Sequence, residues 1–387
     1  MQNSCAKQRP TQGRSPRSEW VKAGLRYTAE RVAPALPRRE PNAFSRCVEV
    51  NLTMKRRTLR YPEMADPMVR PRYSGIATFM RAPFAEDWGE LDIALVGVPF
   101  DGGVTNRSGA RHGPREIRNQ SSLMRRINQA NGIEPYALCR IADIGDAWVE
   151  KPFELTGAHA EIAEFFAALH AEGVVPVSAG GDHSISLPIL RAIARERPVG
   201  MVQFDAHCDT GDDYLGSKFH HGAPFRRAVE EGLLDPRRTV QIGIRGGINT
   251  RDVWDFSRDS GMRVVPMEEL YERGPKSIMA EARQIVGDGP TYVSFDIDGL
   301  DPAYAPGTGT PECGGMSVLE AQIMIRSLQG LRLIGADVVE VAPPFDPSGT
   351  TALVGATLMF EILCVVAQAV HARHATEGRE PTVKPHA

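Results

Sequence analysis

Residues 200–209 read Gly-Met-Val-Gln-Phe-Asp-Ala-His-Cys-Asp, an apolar run that ends abruptly in carboxylate and imidazole. Its first half has the near-continuous hydrophobicity of a strand buried on both faces, the habit of parallel sheets covered by helices. The pattern recurs along the chain as LDIALVGVPF (91–100), GVVPVSAGG (173–181), TVQIGIRG (239–246), RVVPMEE (263–269), TYVSFDID (291–298) and IGADVVEV (334–341). Helical periodicity fills the gaps between these runs. Residues 155–170 set Ile162, Phe165, Phe166 and Leu169 on one stripe that stops at Gly173. Ser317 followed by Glu320 is a capping-box start for a helix to about Leu328. The fold class is therefore α/β: a three-layer α/β/α domain with a mostly parallel central sheet.

The 387 residues, 42% of them hydrophobic and 24% charged, suffice for a large core and exclude global disorder. No run approaches the roughly 18 to 20 uninterrupted apolar residues of a bilayer crossing; the most apolar stretch, 351–370, is broken by Glu361 and Gln368. Charge divides the chain. Residues 1–60 hold 14 Lys and Arg against 4 Asp and Glu, whereas the rest holds 31 against 44, so a basic arm precedes an acidic body. We expect a basic N-terminal extension over 1–70, mobile or used in assembly, and one catalytic domain over 71–387. The arm resembles an organelle transit peptide only weakly, and the expected location is cytoplasmic. The body offers no basic footprint for nucleic acid and suits cations instead, whether metal ions or a cationic substrate. Six cysteines without a CxxC pair point to free thiols in a reducing compartment.

The chemistry collects at the carboxyl ends of the apolar runs. Asp205, His207 and Asp209 are spaced by two, so an extended backbone would turn all three to one side. Asp296 and Asp298 repeat this spacing, and Gly180-Gly181-Asp182-His183-Ser184 brings a third strand end with an imidazole. Open α/β sheets place their sites at that edge. A single Asp would ordinarily be a cap, but two imidazoles and four carboxylates converging at strand ends suit two divalent ions that share bridging carboxylates. A mononuclear sugar or phosphate site would not need all six. The glycines of 307–310 lack the lysine and helix of a phosphate loop.

These motifs resemble the ureohydrolase family, which contains arginase, agmatinase and related guanidino hydrolases. The resemblance rests on GGDHS at 180–184, FDAHCD at 204–209 and SFDIDGLDPAYAPGTGTPECGG at 294–315, and spans roughly residues 72–370. The stretches 71–81, 98–118 and 335–346 place it on the agmatinase and guanidinopropionase side. It implies that His183 and Asp209 hold one metal ion and His207 and Asp298 the other, with Asp205 and Asp296 bridging both. It also implies a bridging hydroxide as nucleophile, Asp298 as proton relay, His221 as a loop proton shuttle, and Glu340 as the carboxylate that pairs with the guanidinium. The metals would be manganese or nickel. Trimers or hexamers are implied too, with a hetero-oligomer containing a paralogous subunit as a variant.

Two departures bear on substrate. Cys208 lies inside the ligand triplet and, by alternation, faces away as a packing residue; Cys313 lies on a loop expected to reach the pocket and tune substrate size. The segment Thr210-Gly211-Asp212-Asp213-Tyr214 is acidic where a substrate tail would lie, with Asp213 as a candidate contact. Like charges repel in a partly desolvated site, which favours a compact cationic guanidine such as free guanidine, an alkylguanidine or a biguanide such as metformin. The alternative is an agmatinase or a guanidino-acid hydrolase (guanidinopropionase or guanidinobutyrase). A single-zinc deacetylase of similar architecture and a non-catalytic scaffold subunit are the readings from other classes. His112 is expected to be a positioned loop residue.

Overall fold

The computed structural model describes residues 64–378. The expected extension over 1–70 lies outside them except for 64–70, where Met64 is buried in the core and the backbone of Ala65 bonds Arg81.

Eight strands form a single sheet: β1 Ile93–Val98, β2 Ile141–Asp146, β3 Val175–Gly180, β4 Val199–Phe204, β5 Leu234–Ile244, β6 Arg263–Pro266, β7 Thr291–Asp296 and β8 Leu333–Val339. Every ladder is parallel, in the order β2-β1-β3-β8-β7-β4-β5-β6. Alternate residues feed two hydrophobic layers, because side chains along a strand point to opposite faces. Along β1, Ile93 and Leu95 join one core cluster while Ala94, Val96 and Val98 join the other. Helices Pro275–Val286, Val318–Arg326 and Thr350–Thr376 cover the first face, and Leu155–Ala171, Ser186–Ile193 and Pro224–Glu230 the second. This is the expected three-layer α/β/α architecture.

Local signals held where they were strong. Ser317 and Glu320 make both bonds of the capping box at Val318–Arg326, and Ile162, Phe166 and Leu169 are buried on helix Leu155–Ala171. β2 was not anticipated, since Ile141-Ala142-Asp143-Ile144-Gly145-Asp146 carries two carboxylates. Asp143 is buried nonetheless, because Arg118 and the Phe79 amide bond it. Helix Thr350–Thr376 is long and apolar enough to cross a bilayer, yet 78% of its most apolar window is buried inside the protein. Its Glu361 is neutralised by Arg326 and bonded by Asn128, so the interruption that breaks the apolar run is a satisfied core ion pair.

The strand order sets the site. β3, β8, β7 and β4 are consecutive neighbours at the sheet centre, so the loops after them open side by side. Phe204 and Phe295 are register partners, stacked with centroids 5.3 Å apart, each preceding one of the aspartates. Removing such a buried ring costs about 3–5 kcal/mol and would unseat Asp205 and Asp296 together.

Candidate active site

Four loops deliver the site: His183 after β3, Glu340 after β8, Asp296 and Asp298 at and beyond the end of β7, and Asp205, His207 and Asp209 after β4. His183, Asp205, Asp209 and Asp296 form one group that could hold a metal ion, and Asp205, His207 and Asp298 a second, so Asp205 is common to both. The structure thus brings together all six residues expected to bind metal.

The route to convergence differs from simple alternation. β4 ends at Phe204, and Asp209 has a left-handed φ of 52°, so a turn rather than an extended strand swings its carboxylate back. Glu340 has a φ of 64°. Such backbone costs a non-glycine residue roughly 1–3 kcal/mol and collects at functional sites. Asp298 sits in a short turn held by its own amide donating to Asp296 Oδ1 at 2.9 Å. Gly246 closes the other side: a Cβ there would lie 2.3 Å from the His207 ring.

The charge on the cluster is unbalanced without a cation. Burial pushes the Asp209 carboxyl up to about 6, with the Asp205 charge adding to it, and burial with neighbouring carboxylates raises Asp296 and Asp298 as well. Burial disfavours a proton on His183, yet Asp205, Asp209 and Asp296 outweigh it and raise the ring's pKa well above its ordinary value. His183 Nδ1 lies 3.2, 2.8 and 3.1 Å from oxygens of those three residues and makes a directed hydrogen bond with none. His207 Nδ1 lies 3.2 Å from Asp298 and 3.6 Å from Asp205. Ring nitrogens and carboxylates that share a buried focus, each with its lone pair inward, fit hard-to-borderline divalent cations.

Beside the cluster, Glu340 Oε1 accepts from the His183 amide and pairs with His221 Nδ1, each at 2.8 Å, while its buried Oε2 has no hydrogen-bond partner. His221 Nε2 lies 2.8 Å from the Thr105 hydroxyl. A planar cation placed on Glu340 Oε2 would therefore stand next to both the imidazole and the metal-binding groups. The adjacent His220 faces the Asp212 carbonyl and the Tyr214 ring instead, which separates the two histidines of the pair.

Asp213 and Cys313 lie differently from the others. Asp213 is exposed and caps its own turn through the Gly216 amide, and Cys313 is an exposed free thiol; neither makes a hydrogen bond or ion pair with the cluster. Cys208 is buried against Ile244 and Val264, with its thiol pushed up to about 12 by burial, as a packing residue requires. Asp212 pairs with Arg227 at 2.9 Å, Arg226 at 3.3 Å and Lys218 at 3.6 Å. Asp212 is thus neutralised, which weakens the repulsion expected of the segment, while the exposed Asp213 makes no ion pair among the described residues.

Other contributors escaped the sequence reading. Gln203 donates to Asp205 Oδ2 at 2.6 Å and is held in turn by Gln241. Arg245 binds the carbonyls of Asp298, Gly299, Leu300 and Glu312, and so fixes the loop that carries Asp298. The two-residue spacing of Gln203 from Asp205 was a usable signal; nothing local marked Arg245.

Comparison with known proteins agrees with this geometry. The arginase family model matches residues 91–365. Guanidinopropionase of Pseudomonas aeruginosa is 58% identical over 309 residues, covering 80% of this chain and 97% of that protein. Mitochondrial agmatinase of Gallus gallus is 49% identical, covering 80% and 92%. The structure of proclavaminate amidino hydrolase from Streptomyces clavuligerus superposes with a TM-score of 0.75 at 38% identity, covering 77% of this chain and 99% of that one. With its parallel sheet, its His/Asp cluster and these relatives, the chain belongs to the arginase family, as a hydrolase of guanidino compounds on the agmatinase and guanidinopropionase side.

Proposed function

We propose that this enzyme hydrolyses a small guanidino acid of the 3-guanidinopropionate class to urea and the corresponding amino acid, using two divalent ions, manganese or nickel. The observation that carries the substrate class is the 58% identity to guanidinopropionase along nearly that protein's whole length. The pairing of Asp212 with three cations supports it by weakening the electrostatic objection. The expectation of free guanidine or a biguanide rested on that objection.

His183, Asp205, Asp209 and Asp296 would hold one ion, and Asp205, His207 and Asp298 the other. Divalent ions held there lower the pKa of water and supply hydroxide near neutrality. Glu340 Oε2 orients the guanidinium, since a fixed carboxylate oxygen matches a planar cation. Asp298, within 3.2 Å of the Thr310 hydroxyl and of His207, would take the proton of the attacking water. His221 would pass a proton to the leaving nitrogen. One C–O bond forms, one C–N bond breaks, and water is consumed to give urea and an amine.

The test is product-resolved turnover of 3-guanidinopropionate, 4-guanidinobutyrate, agmatine, guanidine and metformin by protein loaded separately with Mn²⁺ or Ni²⁺. A guanidino acid should lead in kcat/KM by at least about tenfold. Turnover confined to guanidine, metformin or agmatine would overturn the assignment of substrate while leaving the family chemistry in place.

A further inference from the structure

Behind His183, on the side away from the carboxylate cluster, runs a fully buried chain of hydrogen bonds. His183 Nε2 lies 2.7 Å from Ser294 Oγ, and Ser294 Oγ lies 2.7 Å from Asp337 Oδ1. The other Asp337 oxygen accepts from Ser186 Oγ at 2.6 Å and from the Tyr292 hydroxyl at 2.7 Å. None of these side chains is more than marginally accessible to solvent. Ser294 and Asp337 are register partners across β7 and β8, so the sheet itself fixes their separation. No cation pairs with Asp337 among the described residues. A buried carboxylate is costly unless its lone pairs are satisfied, and here three hydroxyls satisfy them.

The direction of each bond follows. A carboxylate only accepts, so Ser294 must give its proton to Asp337. The Ser294 oxygen is then left to accept from His183 Nε2–H. That fixes a proton on Nε2, so that in the neutral ring the Nδ1 lone pair faces Asp205, Asp209 and Asp296.

We infer that Asp337 is a positioning residue for metal binding: acting through Ser294, it holds His183 in the tautomer and orientation that coordinate a cation, and increases the basicity of Nδ1. This rests on His183 being a metal ligand. Carboxylates behind metal-binding histidines are a general device, and removing one typically costs 10–100-fold in metal affinity. His207 has no buried equivalent: its Nε2 faces the partly exposed Glu312 at 3.6 Å, beyond hydrogen-bond distance. The effect should therefore be confined to one of the two metal positions.

The experiment is Mn²⁺ titration of the full chain by calorimetry, with electron paramagnetic resonance to distinguish coupled ion pairs from single ions. The variants are D337N, S294A, Y292F and H183A. We expect D337N and S294A to lose 10–100-fold at one site and to leave the other within about threefold, with the coupled-pair signal replaced by a single-ion signal at limiting Mn²⁺. Y292F removes a donor to the same carboxylate but lies off the path to His183, so it should keep both affinities. If D337N does not fold, S294A, which changes no charge, decides the matter. Two affinities unchanged in S294A while H183A loses one would overturn the relay. Equal losses at both sites, or an equal loss in Y292F, would show a merely structural role and overturn it too. Wild-type affinities in H183A would instead overturn the ligand assignment beneath it.

Discussion

His221 and Glu340 are joined by a 2.8 Å hydrogen bond from Nδ1 to Oε1, which leaves the other, buried oxygen of Glu340 without a hydrogen-bond partner. Sequence places these residues 119 positions apart; the sheet order brings them together because Glu340 follows β8 at the sheet centre.

That pair leads to a division of effects. E340Q keeps the shape and the hydrogen bond from the His183 amide but removes the charge that a guanidinium would meet. Hydrogen bonds to charged groups contribute about 1.5–3 kcal/mol, so kcat/KM should fall by at least about 10- to 100-fold, with KM affected. H221N should lower kcat by roughly 10²–10⁴ and change KM less. Steady-state kinetics of both variants checks this, and the reverse partition would exchange their roles.

The same pair predicts a pH signature. Burial alone would lower the pKa of His221, but the Glu340 charge and hydrogen bond overcome it and lift the ring to about 9. The Thr105 hydroxyl at Nε2 can accept from the charged ring, whereas the Thr105 amide, 3.2 Å from the same nitrogen, can donate only to the neutral one. With an unfolded value near 6.5, this group stabilises the fold fully below about pH 6.5, and the contribution is lost as pH rises through about 9. Melting of metal-free wild type and H221N should show a gap that is wide at pH 6 and narrows above pH 9. A gap independent of pH would contradict the pairing.

Arg245 predicts a stability effect with a functional consequence. Its guanidinium reaches five backbone carbonyls, including that of Gly243 in β5 and those flanking Asp298. R245A would strand these buried acceptors, at a cost of about 3 kcal/mol from the loss of charge-assisted bonds. R245K should fall between the two, because an ammonium cannot span a fork of carbonyls. Urea midpoints of the three proteins are the measurement; R245A within about 0.5 kcal/mol of wild type would refute the role.

Much of this was visible in the chain because each ligand stands at the end of an apolar run. Asp205, His207, Asp296 and Asp298 follow runs whose hydrophobicity forces them to be central strands, and strand ends at a sheet centre converge. What stayed hidden depended on partners far away in sequence. Asp337 reads as one polar residue inside IGADVVEV, and only pairing of β8 with β7 shows that Ser294 lies beside it. Compensation of Asp212 in the acidic segment at 210–214 stayed hidden too, although its arginine partners are only 14 and 15 positions away. Arg226 and Arg227, which neutralise Asp212, sit on helix Pro224–Glu230, and only folding brings that helix against the segment.

Arg107 carries the remaining prediction, on the tail of the substrate. The Arg107 carbonyl and Glu340 Oε2 flank Gly309, where a Cβ would lie 3.1 Å from the former and 3.5 Å from the latter, so the 105–107 segment walls the pocket next to the guanidinium position. The Arg107 guanidinium bonds the carbonyls of Gly309 and Thr308 and stacks on Phe345, and it has no carboxylate partner among the described residues. A cation without a carboxylate partner, held on the loop that flanks Glu340, suits a substrate whose far end is a carboxylate. R107A should raise KM for 3-guanidinopropionate about 10- to 100-fold, the equivalent of 1.4 to 2.8 kcal/mol, with kcat little changed. Agmatine, whose tail is an ammonium, should respond with the opposite sign, since removing a like charge relieves repulsion. Measuring KM for both substrates in wild type and R107A separates the cases: equal shifts would reduce Arg107 to a brace for the 308–309 loop, and opposite shifts would make it the residue that selects the acid.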